Sequence, residues 1–102
     1  MVLRDLFLGF VKIHILYHAG QEPVYGLWLI EELAHHGYDI SPGSLYPTLK
    51  SLENEGYLLS EKRNIGGKIR KYYTLTEAGK LILDQARHQV NELANEIIEG
   101  KS

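Results

Sequence analysis

The stretch Ile40-Ser41-Pro42-Gly43-Ser44-Leu45-Tyr46-Pro47-Thr48-Leu49-Lys50-Ser51-Leu52-Glu53-Asn54-Glu55-Gly56 decides the fold. Ser41 has the side chain of an N-cap, and Pro42 suits the first helical position, where its missing N–H costs nothing. Leu45, Leu49 and Leu52 then share one face at i, i+4 and i+7, and Gly56 closes a helix that runs to about Glu55. The opposite face carries Gly43, Pro47, Lys50 and Asn54, flanked by Ser44, Tyr46 and Ser51. That is chemistry suited to lie against DNA: small residues admit the backbone, Ser and Asn serve bases or phosphates, and Lys50 reaches either. Pro47 is the irregular member. Inside a helix it costs about 3 kcal/mol, unless the helix effectively begins at Ser44 and leaves it in the first turn. Its ring has two readings, a contact to a thymine methyl or a kink that shapes the helix start.

Upstream, Leu29, Ile30 and Leu33 recur at helical spacing between Tyr25 and His36, with Trp28 beside them, and Gly37 stops the segment. His35 and His36 are placed to stabilise that helix C-terminus. Trp28 is either core or the stacking surface for a small aromatic effector. Ala19 to Val24, with Gly20 and Pro23, reads as a loop. Before it, residues 3 to 18 are apolar around most of a helical circumference, with only Arg4, Asp5, Lys12, His14 and His18 interrupting. Such a helix needs cover on more than one side, and in a chain with one small core a second subunit is the simplest cover. Leu3, Phe7 and Phe10 are assigned to that interface.

Downstream of Gly56 the period changes. Residues 57 to 63 and 68 to 75 are rich in Tyr, Leu, Ile and Thr, and Asn64-Ile65-Gly66-Gly67 between them tolerates positive φ, which predicts a β-hairpin. Alternation sets Tyr73 with Leu75 toward the core and Tyr72 with Arg70 and Lys68 outward. Thr76 can N-cap a last helix with Glu77 in its first turn. On that helix Ile82, Ala86, Val90, Leu93 and Ile97 form a stripe, and about 24 residues make it about 36 Å long, more than one small core can bury. The stripe is assigned to the dimer interface. The order helix, helix, helix, two-stranded wing, helix is that of a winged helix-turn-helix, mainly α with a small β-hairpin. Residues 1–76 are expected to hold the DNA-binding part and 77–102 the dimerisation helix, as one compact unit.

Tyr25-Gly26, the run Ile40 to Leu49, Leu52-Glu53, Glu55-Gly56, and Arg70-Lys71-Tyr72-Tyr73-Thr74-Leu75-Thr76 with Gly79 together resemble the PadR winged-helix pattern over about residues 3 to 80. The Ser-Leu-Tyr-Pro piece followed by Arg-Lys-Tyr-Tyr carries most of the resemblance. It implies a DNA-binding repressor that dimerises through its first and last helices and responds to small molecules. The single terminal helix resembles the short subtype, and Ser51 stands where many members carry a basic residue. Tyr25 joins the candidate DNA-binding set.

Composition bounds the remaining possibilities. At 102 residues, 44% hydrophobic and 24% charged, the chain suits one folded domain. The formal net charge is −2, yet residues 61 to 71 hold Lys62, Arg63, Lys68, Arg70 and Lys71 against Glu61, a local +4, so the other 91 residues sum to −6. Such segregation directs a polyanion to the wing. The absence of cysteine fits a cytoplasmic setting without disulfides, and the apolar run Leu6 to Val11 is too short for a membrane span. His14 and His18 have a spacing that can share a metal, but two ligands are too few and the first is not followed by glutamate, so they are expected as ordinary interface histidines. No metal or other cofactor is expected. No phosphate-binding glycine loop, activated nucleophile or paired carboxylates are found, which argues against an enzyme. The expected partners are double-stranded DNA, a second copy of the chain and a possible small aromatic effector. The alternative is a winged-helix module that contacts other proteins.

Overall fold

The leucines of the central helix sit in a core to which every other element contributes. The structure, a computed structural model, describes residues 2–100; residues 1, 101 and 102 of the two expected spans lie outside the described residues. The element order is α1 Val2–Gln21, β1 Val24–Tyr25, α2 Gly26–His35, α3 Pro42–Asn54, β2 Leu58–Ile65, β3 Lys68–Leu75 and α4 Glu77–Ile97. The strands form one antiparallel sheet in the order β1-β3-β2. This is the expected winged helix-turn-helix with a C-terminal helix.

The core joins Val11, Ile15, Leu16 and Ala19 of α1 to Leu29 and Leu33 of α2, Leu45, Leu49 and Leu52 of α3, and Val24, Ile40, Leu58, Tyr73 and Leu83. Burying such side chains contributes about 1.5–3 kcal/mol each. The α3 stripe is as the sequence spacing sets it, with Thr48 added: its hydroxyl donates to the Ser44 carbonyl at 2.9 Å, which lets a polar side chain sit inside.

The structure corrects several boundaries. The helix α1 runs through Gly20 to Gln21, and Pro23 comes just after it. A Cβ at Gly20 would stand 2.9 Å from Leu75 Cδ2, so glycine here serves close packing on the wing rather than a turn. Val24 and Tyr25 pair with Tyr73 and Tyr72 as a third strand, so α2 starts at Gly26. Two residues are too few to show a period of two. Ser41 occupies the N-cap position of α3, but its side chain makes no capping bond. The helix begins at Pro42, which leaves Pro47 inside it rather than in a first turn starting at Ser44.

The hairpin turns on Gly66 and Gly67 alone, at φ +59° and +86°, with Ile65 paired to Lys68. Two consecutive positive φ values match the right-handed twist of the strands, and only glycine takes both cheaply. Asn64 braces the turn by accepting from the Gly67 N–H at 3.0 Å. Thr76 caps α4 as expected, accepting from the Gly79 N–H at 3.0 Å while donating to the Gly56 carbonyl at 2.6 Å. One hydroxyl thus ties the end of α3 to the start of α4. The α4 residue deepest in the core is Leu83, which the stripe reading passed over.

Candidate nucleic-acid interface

A helix can offer one face to DNA only if its other face is fixed. With Leu45, Leu49 and Leu52 buried, α3 exposes Gly43, Tyr46, Pro47, Lys50 and Ser51, and Ser44 is half-buried. Tyr46 also has a packing role. A Cβ at Gly26 would stand 2.5 Å from the Tyr46 hydroxyl oxygen and 2.6 Å from its ring, so the phenol lies directly on the first residue of α2. Gly26 is what allows α2 and α3 to meet there.

Tyr25, immediately before Gly26, connects this helix pair to the wing. Its ring meets Tyr72 edge to face at 5.3 Å, the Arg70 guanidinium lies 4.4 Å from its centroid, and the Arg63 guanidinium lies 4.7 Å from that of Tyr72. Cation–π contacts with tyrosine hold each guanidinium in place while leaving N–H groups in the plane of the fork to donate. Tyr25, Tyr46, Lys68 and Arg70 line one groove between the helix pair and the wing.

The sheet register divides the basic cluster. Arg63 faces Arg70 across the strands, Ile65 faces Lys68, and Lys62 faces Lys71, so Arg63, Lys68 and Arg70 share one side of the hairpin and Lys62 and Lys71 the other. The second side is where the sheet meets α3. There Lys71 Nζ lies 3.5 Å from Glu53 Oε1, and Glu53 also accepts a short hydrogen bond from Ser60. The Ser60 bond holds the Glu53 carboxyl below the ordinary glutamate value against the opposing effect of burial, with smaller help from Lys71 and the Lys50 charge. On the first side Arg63 Nε donates to Glu61 Oε1 at 2.7 Å. Lys71 and Arg63 are therefore partly neutralised. Lys62, Lys68 and Arg70 have no ion pair among the described residues, and of these Lys68 and Arg70 line the groove with Tyr25 and Tyr46. Glu53 was legible only as part of a motif; its partners come from strand register.

The residues assigned to a dimer interface lie on α1 and α4. Leu3, Phe10, Val90, Leu93 and Ile97 are exposed, and Phe7, Ile82 and Ala86 are half-buried, with Phe7 edge-on to Tyr38 at 5.3 Å. Leu6, Phe10 and Ile13 of α1 and Val90 and Leu93 of α4 form one apolar groove. Trp28 is half-buried and meets the His18 ring edge-on at 5.4 Å. His14 and His18 do not stand alone: His36 stacks on His14 at 4.8 Å. Burial, then the His36 and His18 charges, lower the His14 pKa against Glu32; burial also lowers that of His18, against Glu32.

Comparison with known proteins gives this arrangement relatives. Residues 15–85 match the model of the transcriptional regulator PadR-like family. The chain is 45% identical over 100 residues to the transcriptional regulator Rv3488 of Mycobacterium tuberculosis, covering 98% of this chain and 94% of that one. It is 39% identical over 72 residues to the transcriptional regulator YqjI of Escherichia coli, covering 71% of this chain and 33% of that larger protein. Among solved structures, a PadR family transcriptional regulator from Eggerthella lenta superposes with a TM-score of 0.82 at 35% identity, covering 96% of this chain and 87% of that one. A Streptococcus transcriptional regulator gives 0.83 at 28%, covering 95% and 97%.

Proposed function

The chain belongs to the PadR-like family of transcriptional regulators, and from that premise we propose that it is a sequence-specific repressor that binds double-stranded DNA as a homodimer and answers to a small effector in the cytoplasm. The family is one of regulators rather than enzymes. The observation that carries the reading is the Tyr25–Gly26 junction. Tyr46 of α3 rests on Gly26 while Arg70 of the wing rests on Tyr25, so the groove-reading helix and the phosphate-binding hairpin are set against one another through adjacent residues. In this arrangement Ser44, Tyr46, Pro47 and Lys50 read bases, and Lys68 and Arg70 hold the backbone. The apolar α1–α4 groove supplies the self-association that a two-half-site operator requires.

Selection from a random duplex pool, followed by sequencing, tests the proposal. A repressor of this kind enriches a two-fold-related motif, and Lys50→Ala lowers affinity for that motif more than for random duplex, by about 1–3 kcal/mol. Equal losses on both would assign Lys50 to phosphate. No binding to any duplex at low salt would leave the fold as a protein-contact module.

A further inference from the structure

The α1 histidines lie one turn apart, and the fold brings a third from the end of α2 against them. We infer that His14, His18 and His36 form a binding site for a divalent transition-metal cation of the zinc class. Each offers one ring nitrogen, and the three nitrogens lie within 4.8 Å of one another. Nitrogens bound to one tetrahedral zinc at 2.0–2.1 Å stand about 3.3 Å apart, so a closure of about 1.5 Å, together with rotation of the His14 ring out of its stacks on His18 and His36 (14° and 26° between planes), completes a three-histidine set. Imidazole is the ligand that suits zinc, copper, nickel and iron rather than calcium or magnesium.

Three further observations point to a ligand. His18 Nε2 is buried without a hydrogen-bond partner, which is costly for a polar atom and is relieved when the lone pair meets a cation. Glu32 places its Oε1 3.2 Å from His36 Nε2 and 3.7 Å from His18 Nε2, so a carboxylate stands beside the three nitrogens to offset metal charge. The cluster also opens to solvent: His14, His18, Glu32 and His36 line a single depression. Arg87 lines it too, but its guanidinium is paired with Asp84 at 2.7 Å. Burial favours the neutral form of His14 and His18, the form that ligates. Packing against Tyr38 and Trp28 accounts for the closeness of the rings. It does not account for the orphaned Nε2. The site does not depend on the DNA-binding reading, since it clamps α1 to the end of α2 whatever α3 contacts.

The test is a titration of untagged full-length protein with Co²⁺, followed by visible absorption and calorimetry, with Zn²⁺ as competitor. The expected result is saturation at one ion per chain, nitrogen-ligated cobalt bands, and their loss on adding Zn²⁺. Because His14 and His18 are partly buried and their variants can misfold, the exposed His36 carries the decisive substitution. His36→Ala weakens binding at least tenfold to about a hundredfold with helicity unchanged, whereas His35→Ala and His88→Ala bind as the unmodified chain does. Absence of saturable one-to-one binding overturns the proposal, as does a His36→Ala variant that binds equally well. An equal loss in His35→Ala also overturns it, because that would place the ion at the helix end instead.

Discussion

The molecule exposes two surfaces of opposite chemistry. On α3 and the wing the cations and Tyr46 stand among exposed Leu59, Ile65 and Ile69, and several of them are fixed by a neighbour: Tyr46 by Gly26, Arg70 by Tyr25, Arg63 by Glu61 and Tyr72, Lys71 by Glu53. In the α1–α4 groove the exposed apolar groups are Leu6, Phe10, Val90 and Leu93, with Asp5, Gln89 and Glu92 also lining it. A polar surface that meets a charged rod gains from preorganised donors, since flexible ones lose entropy on binding. An apolar surface gains from water released when it is covered and needs only shape and area. The first pattern suits DNA and the second a further copy of the chain.

The largest effect is expected from charging the apolar surface. Leu93→Glu should convert a dimer to monomers in sedimentation and lower affinity for a two-half-site operator by about a hundredfold or more, because the second half-site contact ceases to be intramolecular. Unchanged sedimentation would assign the groove to another partner and remove half of the comparison.

A smaller and sharper effect separates the two sides of the wing. Arg70→Ala should make the slope of log K against log salt shallower by about 2 in a dimer, at about 0.9 per phosphate contact, with similar losses on operator and random duplex. Lys71→Ala should leave the slope nearly unaltered, because its ammonium is already paired with Glu53. Equal slopes for both variants would mean that register does not sort the wing charges.

The smallest effect concerns Glu53 itself. Its carboxyl is held below the ordinary value in the folded chain, so its contribution is fully present above the unfolded value near 4.5 and is lost as the pH falls through the lowered folded value. Glu53→Gln should therefore cost roughly 1 kcal/mol at neutral pH in denaturant melts, with the difference fading in acid. It should also release Lys71 and raise random-duplex affinity a few-fold. A pH-independent difference would show that the pair contributes packing rather than charge.

What the sequence made legible follows the range of the interactions. The α3 stripe, the glycine stops, the hairpin and the Thr76 cap are local patterns, and each appears in the structure. Tyr73 inside and Tyr72 outward followed from alternation alone. The β1 strand was not legible, because two residues carry no period and their partners lie almost fifty positions away. The same holds for the site. Lys50 and Arg70 were readable as exposed charges, but the pairing of Lys71 with Glu53 depends on strand register. His36 was read as a helix-end charge because nothing near it in sequence announces that α1 passes beside it.

The Thr76 hydroxyl, the close approach of Gly79 to Tyr57 and Leu75, and Leu83 in the core together set the angle at which α4 leaves the winged helix, and α4 is a lever. Its 21 residues span about 31 Å at 1.5 Å each. A tilt of about 6° at that joint swings the far end by about 3 Å, close to the 3.4 Å step between neighbouring base pairs. Where a dimer is built on the far half of α4, such a tilt moves the two recognition helices by about a base-pair step relative to one another. Operator spacing is then an angular property, set where α4 joins the winged helix.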